Sequence, residues 1–268
     1  MIDFHVHSTF SDGQEEVETL IDLAAKRGVR RLAITDHFDS MDPSLRNKNA
    51  TAEELRAHFT RIRAYAAWKR KTTPIRVFCG VETCTDMDGQ LRLPEECVKE
   101  CDVIITSPHY VEGEYPFQKG QYFLDSYWEK YKQKLLAMAA GEGDVLGHPM
   151  GYLPIGPMLE EGTTFMSRQA ICKDICARYF DKDFICRLGA ALKRSGKACE
   201  LHGASSTPPD WAVKLLHGQG AIFSVGSDAH SAELLGKNER AMRLASELGL
   251  RLWMGKEPPV TAAQEETW

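Results

Sequence analysis

Seven short apolar runs, each followed by a longer amphipathic stretch, constrain the fold of this chain more than any other feature. The runs are rich in Val, Ile, Leu and Phe, which is typical of strands buried on both faces. They span Ile2–Val6, Leu32–Thr35, Ile75–Glu82, Val103–Thr106, Val145–Gly147, Ala198–Leu201 and Ala221–Val225. Repeated strand–helix units predict an α/β fold with a parallel sheet, and closure into a barrel is favoured over an open sheet.

The amphipathic stretches between the runs predict the helices. They cover residues 15–27, 52–71, 94–100, 124–140, 168–194, 211–217 and 238–248. Gly28 and Gly249 follow two of these stretches and are candidate C-caps. No Pro/Gly/Ser-rich linker divides the chain. We therefore expect one domain over residues 1–255, followed by a polar C-terminal tail over 256–268.

Composition excludes several classes of protein. A chain of 268 residues with 43% hydrophobic residues and a net charge of −5 is not dominated by disorder. It has no apolar stretch approaching the ~18–20 residues of a transmembrane helix, and we expect no membrane partner. The slightly acidic charge gives no reason to expect a surface for long nucleic acids. The N-terminus lacks the features of a signal peptide, which favours a cytoplasmic location.

The eight cysteines contain no Cys-x-x-Cys pair. A domain of this size buries its own core without disulfides, so we expect reduced, mostly buried thiols. A cysteine metal site or a redox switch is the alternative.

Ionisable residues follow six of the seven runs. Active sites of parallel α/β folds lie at the carboxyl ends of the strands, so these residues are expected to share one rim. The motifs are His5-x-His7 with Asp12, Asp36-His37, Glu82, His109, His148 and Asp228-x-His230. Residues two apart on a strand share a face, so His5 and His7 point the same way.

Each of these residues also has a purely structural interpretation. Asp12 with Glu15 fits a helix capping box, Glu82 could face solvent, and a lone buried histidine is usually a hydrogen-bonded core residue. These explanations would have to hold independently on six strands. By contrast, His58 and His217 fall in predicted helices without partners and are interpreted as surface or packing residues.

Six imidazoles and three carboxylates on one rim predict bound metal ions. Burying so many ionisable groups without compensation is costly, and this ligand set suits Zn, Mn or Fe. Nine ligands exceed the capacity of one ion and suit two or three. Such clusters polarise phosphoryl oxygens and activate water, so the sequence predicts hydrolysis, most naturally of a phosphate ester.

The ordered motifs resemble those of the PHP (polymerase and histidinol phosphatase) family. The resemblance rests on His5-x-His7, Ser11-Asp12-Gly13, Thr35-Asp36-His37, Gly80-x-Glu82, Pro108-His109, Gly147-His148-Pro149 and Ser227-Asp228-Ala229-His230. It covers residues 5 to 230 and implies a distorted (β/α)7 barrel with a trinuclear metal site. The sequence following His109 and the ending at His230 resemble the histidinol-phosphate phosphatase branch.

The resemblance implies which residues hold each ion. His5, His7, Glu82 and Asp228 would hold the first, and Glu82 would bridge to a second that His109 and His148 complete. Asp12, His37 and His230 would hold the third. Some relatives have His where this chain has Asp12, which affects the metal preference of the third site.

The ligand set implies that a hydroxide bridging two ions attacks phosphorus in line. The candidate catalytic residues are Asp36, His202 and Asp228, the last of them also a metal ligand. Asp36 either orients a ligand or the nucleophile, or simply forms a turn or a cap. His202 stands near a position where many such phosphatases have Asn. It could contact the substrate, support the metal ligands or simply pack.

Cations in the loops after the strands are candidates for binding phosphate. They are Arg46, Lys119 and Arg168, with Lys48 beside the first, although each is also interpretable as solvated surface. The leading hypothesis is a metal-dependent phosphomonoesterase acting on a small phosphorylated substrate, with L-histidinol phosphate as first candidate. The alternatives are a nucleotide phosphoesterase or short-oligonucleotide exonuclease, a hydrolase of C–N bonds, and a non-catalytic metal-binding module.

Overall fold

The apolar runs form the strands of one sheet in the computed structural model, which describes residues 1–39, 50–255 and 257–261. All seven predicted strands are present, and two more follow them. The strands are β1 (Ile2–Asp3), β2 (Arg31–His37), β3 (Arg76–Thr83), β4 (Val103–Thr106), β5 (Val145–Leu146), β6 (Ala198–His202), β7 (Ile222–Gly226), β8 (Arg251–Met254) and β9 (Glu257–Thr261).

The sheet follows the order of the chain from β1 to β9. Neighbouring strands from β1 to β8 pair in parallel, and β9 pairs antiparallel with β8. Among the described residues the ladder does not close into a continuous barrel. Instead, isolated hydrogen bonds join the segment after β1 to β7 and to the loop that follows β7. Phe4 N donates to Val225 O at 2.8 Å, and His7 N donates to Ala229 O at 2.9 Å. The predicted α/β class with a distorted, barrel-like parallel sheet is confirmed, whereas regular closure is absent.

Helices follow the strands as the amphipathic stretches predict. They are α1 (Val17–Lys26), α2 (Ala52–Lys69), α3 (Glu95–Glu100), α4 (Asp125–Ala140), α5 (Phe165–Tyr179), α6 (Lys182–Ser195), α7 (Asp210–Gly218) and α8 (Glu239–Leu248). The start of α2 has a capping box between Thr51 and Glu54. Gly28 (φ 76°) and Gly249 (φ 60°) have the left-handed backbone expected after a helix end.

The single helix predicted over residues 168–194 is wrong, because the structure has two helices there. The chain breaks at Phe180 and Asp181, where the Asp181 carboxylate accepts a hydrogen bond from Phe184 N at 2.7 Å and begins α6. The buried Phe180 ring stacks on Tyr131 of α4. A local N-cap and one buried aromatic ring therefore outweigh the continuous helical periodicity.

The segment predicted as a polar tail begins with a strand. Residues 257–261 form β9, and Glu257 pairs with Arg31 at 3.0 Å and with Arg76. Pro258 and Pro259 are tolerated because β9 lies at the edge of the sheet, where no further ladder bond is needed. Residues 256 and 262–268 lie outside the described residues, so the division at 255 stays a prediction.

The core contains the cysteines. All eight are free thiols and seven are buried. Burial raises the pKa of Cys79 and of Cys101 to about 12, so both remain neutral and pack as small apolar groups. None of the helices in the described part of the chain has both the length and the apolar composition needed to cross a membrane.

Candidate metal centre

The carboxyl ends of the strands bring the predicted ligands together. His5 and His7, in the extension of β1, are fully buried and point to the same side. In the register of β2 and β3, His37 lies directly beside Glu82. Tertiary structure therefore places side chains from distant parts of the sequence on one rim, as expected for a parallel α/β fold.

Glu82 lies at the middle of this rim. Its Oε1 is 2.8 Å from His148 Nε2 and 3.2 Å from His109 Nε2. Its Oε2 is 2.9 Å from His37 Nδ1 and 3.5 Å from His7 Nε2. The two oxygens of one carboxylate thus face different sets of imidazoles, which is the arrangement that a bridging ligand requires.

The described residues contain three sets of potential ligands, and within each set the ligand atoms lie within 4.8 Å of one another. The sets are His5, His7, Glu82 and Asp228; His7, Asp12, His37 and His230; and His37, Glu82 and His109. The first coincides with the ligands that the family resemblance implies for one ion, and the second contains the three implied for another. In the third, His37 stands where His148 was expected, although His148 Nε2 also contacts Glu82.

Several of these buried atoms make no hydrogen bond within the described residues. They are His5 Nε2, both ring nitrogens of His7, Asp12 Oδ1, Glu82 Oε2 and Asp228 Oδ1. Leaving buried polar atoms unpaired is costly, and here they converge on one another. Divalent cations would satisfy the carboxylate oxygens and one nitrogen of each ring, and the imidazole and carboxylate donors suit Zn, Mn or Fe. The residues present therefore fit a metal cluster.

The electrostatics of the centre favour ionised carboxylates. Burial alone would raise the pKa of Glu82, but the charges of His5, His109 and His37 hold it well below its usual range. Burial likewise opposes ionisation of Asp228, yet the charge of His5, the hydrogen bond with His202 and the nearby ring of His7 keep its pKa well below normal. Carboxylates that stay charged are ready to coordinate a cation.

The two histidines of the first strand differ in their protonation. Burial, with the nearby charges of His230 and His37, lowers the pKa of His7 to about 4, so this imidazole is neutral. Burial opposes protonation of His5, but the charges of Glu200, Glu82 and Asp228 raise its pKa well above normal. His5 must therefore release a proton before it can coordinate a metal ion.

Glu200 contacts two of the predicted ligands, although the sequence patterns did not single it out. Its Oε1 is 2.7 Å from His5 Nδ1, and its Oε2 accepts a hydrogen bond from His148 N at 2.7 Å. It thereby orients His5 so that Nε2 faces Glu82 and Asp228. The signal was present, because Glu200 is an acidic residue inside an apolar strand, two positions from His202 and on the same face.

Asp36 lies beside the centre and holds the loop that carries Asp12. Its carboxylate accepts hydrogen bonds from Ser8 N at 2.7 Å, Ser8 Oγ at 2.7 Å and Ser11 Oγ at 2.6 Å. The His58 ring nitrogen Nε2 is 2.9 Å from Asp36 Oδ2. His58 is buried and partnered, so its interpretation as a histidine without partners is wrong. The direction of α2, which sequence does not reveal, brings it there.

His202 contacts a predicted ligand. Its Nε2 is 3.0 Å from Asp228 Oδ2, while Ser205 N donates to its Nδ1 at 3.2 Å. Since Nδ1 accepts this hydrogen bond, the ring N–H is at Nε2 and is donated to Asp228. Of the three functions considered for His202, this contact favours support of a metal ligand.

Backbone strain is concentrated at this rim. His148 (φ 23°), Tyr152 (φ 21°) and Asp228 (φ 54°) have positive φ angles, which non-glycine residues rarely adopt. Two of the three are predicted metal ligands. Strain of this kind persists where the surrounding structure enforces it, and it is common at functional sites.

The predicted phosphate-binding cations lie in different places. The Arg168 guanidinium is 5.7 Å above the Tyr152 ring, and that ring borders His148 and His202. Lys119 is exposed, and no hydrogen bond or ion pair within the described residues joins it to the centre. Arg46 and Lys48 lie outside the described residues. Among these cations, Arg168 is thus the one whose contacts within the described residues connect it to the metal centre, through the ring of Tyr152.

The comparisons with known proteins agree on one protein family. The model of the PHP domain matches residues 3–193. The chain is 28% identical over 236 residues to the DNA polymerase/3'-5' exonuclease PolX of Bacillus subtilis, which covers 87% of this chain but 35% of that protein. The chain thus spans about a third of the length of this relative.

Two further comparisons cover whole proteins. A Thermotoga maritima protein named probable histidinol-phosphatase is 25% identical over 247 residues, covering 91% of this chain and 90% of that one. The histidinol phosphate phosphatase of Lactococcus lactis, solved with Zn, L-histidinol and phosphate, superposes with a TM-score of 0.67 at 17% identity, covering 97% of each chain. The latter likeness shows a shared fold. With the family model matching most of its length, the chain belongs to the PHP domain family.

Proposed function

We propose that this protein is a metal-dependent phosphomonoesterase that hydrolyses a small phosphate ester. The observation that carries the proposal is the position of Glu82, whose two carboxylate oxygens face two different groups of imidazoles on one buried rim. Two adjacent cation sites that share a ligand are suited to phosphoryl transfer, because both the attacking and the leaving oxygen need charge stabilisation.

In this proposal the nine predicted ligands hold two or three cations. They are His5, His7, Asp12, His37, Glu82, His109, His148, Asp228 and His230. When bound, divalent cations neutralise charge on phosphoryl oxygens and activate water as the nucleophile. Most of the imidazoles and carboxylates that surround them are buried, and Asp12, His109 and His230 are half-buried, which strengthens these electrostatic interactions relative to bulk water.

The neighbouring residues have positioning functions. Glu200 fixes the ring of His5 and holds the backbone of His148, and His202 holds the carboxylate of Asp228. Asp36 organises the loop before Asp12 through Ser8 and Ser11. Partners of this kind orient metal ligands and tune their basicity.

The first substrate candidate is L-histidinol phosphate. The Thermotoga maritima relative, similar over nine-tenths of both chains, is named for this activity, and the Lactococcus lactis enzyme of similar fold was solved with L-histidinol and phosphate. The second candidate is a nucleotide or a short oligonucleotide, which the similarity to the PolX exonuclease favours. A net charge of −5 does not favour long nucleic acids.

A steady-state panel tests the proposal. The metal-loaded full chain is assayed for kcat/KM with histidinol phosphate, nucleoside monophosphates and glycerol phosphate, alongside Glu82→Gln and the control Glu95→Gln. Glu95 is exposed and, among the described residues, pairs with Lys99 on α3, so its variant should retain activity. Loss of turnover in Glu82→Gln alone supports the proposal. No phosphate release from any ester by the wild-type protein would contradict it.

A further inference from the structure

The segment after β1 meets β7 and the residues that follow β7 at a seam where, among the described residues, the sheet ladder is interrupted. At one end of this seam Phe4 N donates to Val225 O at 2.8 Å, and at the other end His7 N donates to Ala229 O at 2.9 Å. The two donors are three residues apart along the chain, whereas the two acceptors are four residues apart. The side of the seam that continues from β7 therefore has one extra residue, which makes it a β-bulge.

The bulge contains a predicted metal ligand. Asp228 has a φ angle of 54°, which non-glycine residues rarely adopt. Bulges redirect side chains and are common beside active sites. At this bulge Asp228 Oδ1 lies 3.5 Å from His5 Nε2 and 3.1 Å from His7 Nε2. The irregular register thus accompanies the meeting of a ligand after the seventh strand with two ligands after the first.

Asp3 provides the hydrogen-bond acceptor for the residue beside this ligand. A regular parallel ladder continued from Val225 would pair Ser227 N with a backbone carbonyl of the facing segment. Instead, Ser227 N donates to Asp3 Oδ1 at 2.8 Å, and Ser227 Oγ donates to Asp3 Oδ2 at 2.6 Å. Asp3 is fully buried, where a carboxylate is costly unless donors surround it. A buried side chain thus takes the place of a backbone acceptor at the bulge.

Asp3 also holds the far end of the loop that follows β7. Its Oδ2 accepts a hydrogen bond from Gly236 N at 2.8 Å. The stretch between Ser227 and Gly236 carries two predicted ligands, Asp228 and His230. Because both ends of this stretch are bound to one carboxylate, Asp3 restricts the positions that the two ligands can adopt.

A comparable contact occurs beside another predicted ligand. The Asp36 carboxylate accepts hydrogen bonds from both N and Oγ of Ser8, each at 2.7 Å. Ser8 directly follows His7, just as Ser227 directly precedes Asp228. The same device, a buried carboxylate that binds both polar groups of a serine, therefore occurs next to ligands on both sides of the seam.

We propose that Asp3 is a positioning residue for the candidate metal centre, which fixes the bulge and thereby presents Asp228 to His5 and His7. Asp3 lies outside the three described sets of potential ligands, so its effect on a bound cation acts through Asp228. The inference rests on the metal-dependent function proposed above and adds a determinant of its metal affinity.

The metal affinity of two variants tests this inference. Asp3→Asn places an amide NH2 against hydrogen-bond donors, whereas Ser227→Ala removes the Oγ contact alone. Co²⁺ is titrated into the metal-free full chain in competition with a chelator of known affinity, and its visible absorption reports the coordination geometry. We expect the Kd for Co²⁺ to rise about 10- to 100-fold in Asp3→Asn, with an altered spectrum. In Ser227→Ala it should rise roughly threefold to tenfold.

Asp102→Asn is the matched control. The Asp102 carboxylate also accepts a hydrogen bond from a backbone amide of the sheet, Cys79 N at 3.0 Å, but it does so at the start of β4. The carboxyl ends of the strands, where the predicted ligands lie, are at the opposite edge. We therefore expect Asp102→Asn to keep the affinity and the spectrum of the wild type.

Hydrogen exchange of the metal-free chain reports on the seam without any cation. The amides of His7 and Ala229 should exchange faster in Asp3→Asn than in the wild type or in Asp102→Asn. Faster exchange at the seam together with weaker Co²⁺ binding supports the inference.

Wild-type affinity and spectrum in Asp3→Asn and Ser227→Ala would overturn the inference, even if the seam exchanged faster, because Asp3 would then only stabilise the fold. If Asp3→Asn does not fold, Ser227→Ala decides by the same criterion. The proposed function is judged separately: a wild-type chain that binds Co²⁺ but hydrolyses no ester contradicts that function alone.

Discussion

Glu200 Oε1 lies 2.7 Å from Nδ1 of His5, deep in the sheet and away from solvent. This contact fixes the His5 ring with its other nitrogen, Nε2, facing Glu82 and Asp228 at 3.4 and 3.5 Å. Glu200, which lies outside the three described sets of potential ligands, thus determines how the predicted ligand His5 is presented.

Glu200→Gln should weaken metal binding about 10- to 100-fold, because an amide orients the imidazole but no longer raises its basicity. Competition with a chelator of known affinity measures this change, with circular dichroism as a check on folding. Glu95→Gln is the matched control, since Glu95 is exposed. Equal metal affinity in wild type and Glu200→Gln would show that the contact is only structural.

Asp36→Asn and Asp181→Asn should differ in their effect on the free energy of unfolding, although both replace a carboxylate with an amide. Asp36 is buried and accepts hydrogen bonds from Ser8, Ser11 and His58. In Asp36→Asn the NH2 of the new amide would face some of these hydrogen-bond donors instead of an acceptor. The cost should be about 1–3 kcal/mol of unfolding free energy, or more. Asp181 caps α6, where Asn serves about equally well. Denaturant unfolding measures both; equal midpoints for the two variants would contradict the assignment of Asp36.

Some parts of the fold and of the candidate site can be predicted from sequence patterns, whereas others depend on tertiary contacts. The seven strand–helix units follow from short-range patterns, so the sequence was sufficient for them, and the same patterns predict which ionisable residues lie at the strand ends. His58 and Glu200 were not predicted, because their function depends on which groups face them across the fold. His58 meets Asp36 only through the packing of α2 on the sheet, and Glu200 meets His5 across the interior.

The helix boundary at Phe180 was missed for a related reason. The residues on either side of Asp181 continue a helical pattern, and the break depends on the capping bond to Phe184 and on the stacking of Phe180 on Tyr131. Likewise, β9 has two prolines and a half-buried position at the edge of the sheet, so it carries no strand signal until β8 pairs with it.

Lys197 should make stability depend on pH in the alkaline range. Its ammonium is buried and donates to Met138 O, Thr106 Oγ1 and Glu142 O. Burial lowers its pKa from 10.5 to about 8. Between these values the unfolded chain binds more protons than the folded one, so raising the pH stabilises the fold.

Lys197→Met removes this titration. The free energy of unfolding of the wild type should rise relative to the variant by up to about 3 kcal/mol, beginning near pH 8 and ending near the unfolded pKa. Denaturation at several pH values between about 7 and 10 measures the difference. Parallel pH profiles for the two proteins would contradict a lowered pKa of Lys197.

Removal of metal ions should destabilise the protein. Ligands that bind only the folded state stabilise it, by about 4 kcal/mol when their concentration is a thousand times Kd. Thermal unfolding with and without a chelator should therefore show a lower Tm in the chelator, and Glu82→Gln should show a smaller shift. A Tm that the chelator leaves unchanged in the wild type would contradict tight binding at this centre.

The metal content of the purified full chain tests the central claim most directly. Elemental analysis is made on the wild type after removal of loosely bound ions, with Glu82→Gln and Glu95→Gln beside it. The account predicts two or three divalent ions per chain in the wild type and in Glu95→Gln, and fewer in Glu82→Gln. One ion or none in the wild type, or equal content in all three proteins, would contradict a cluster bridged by Glu82.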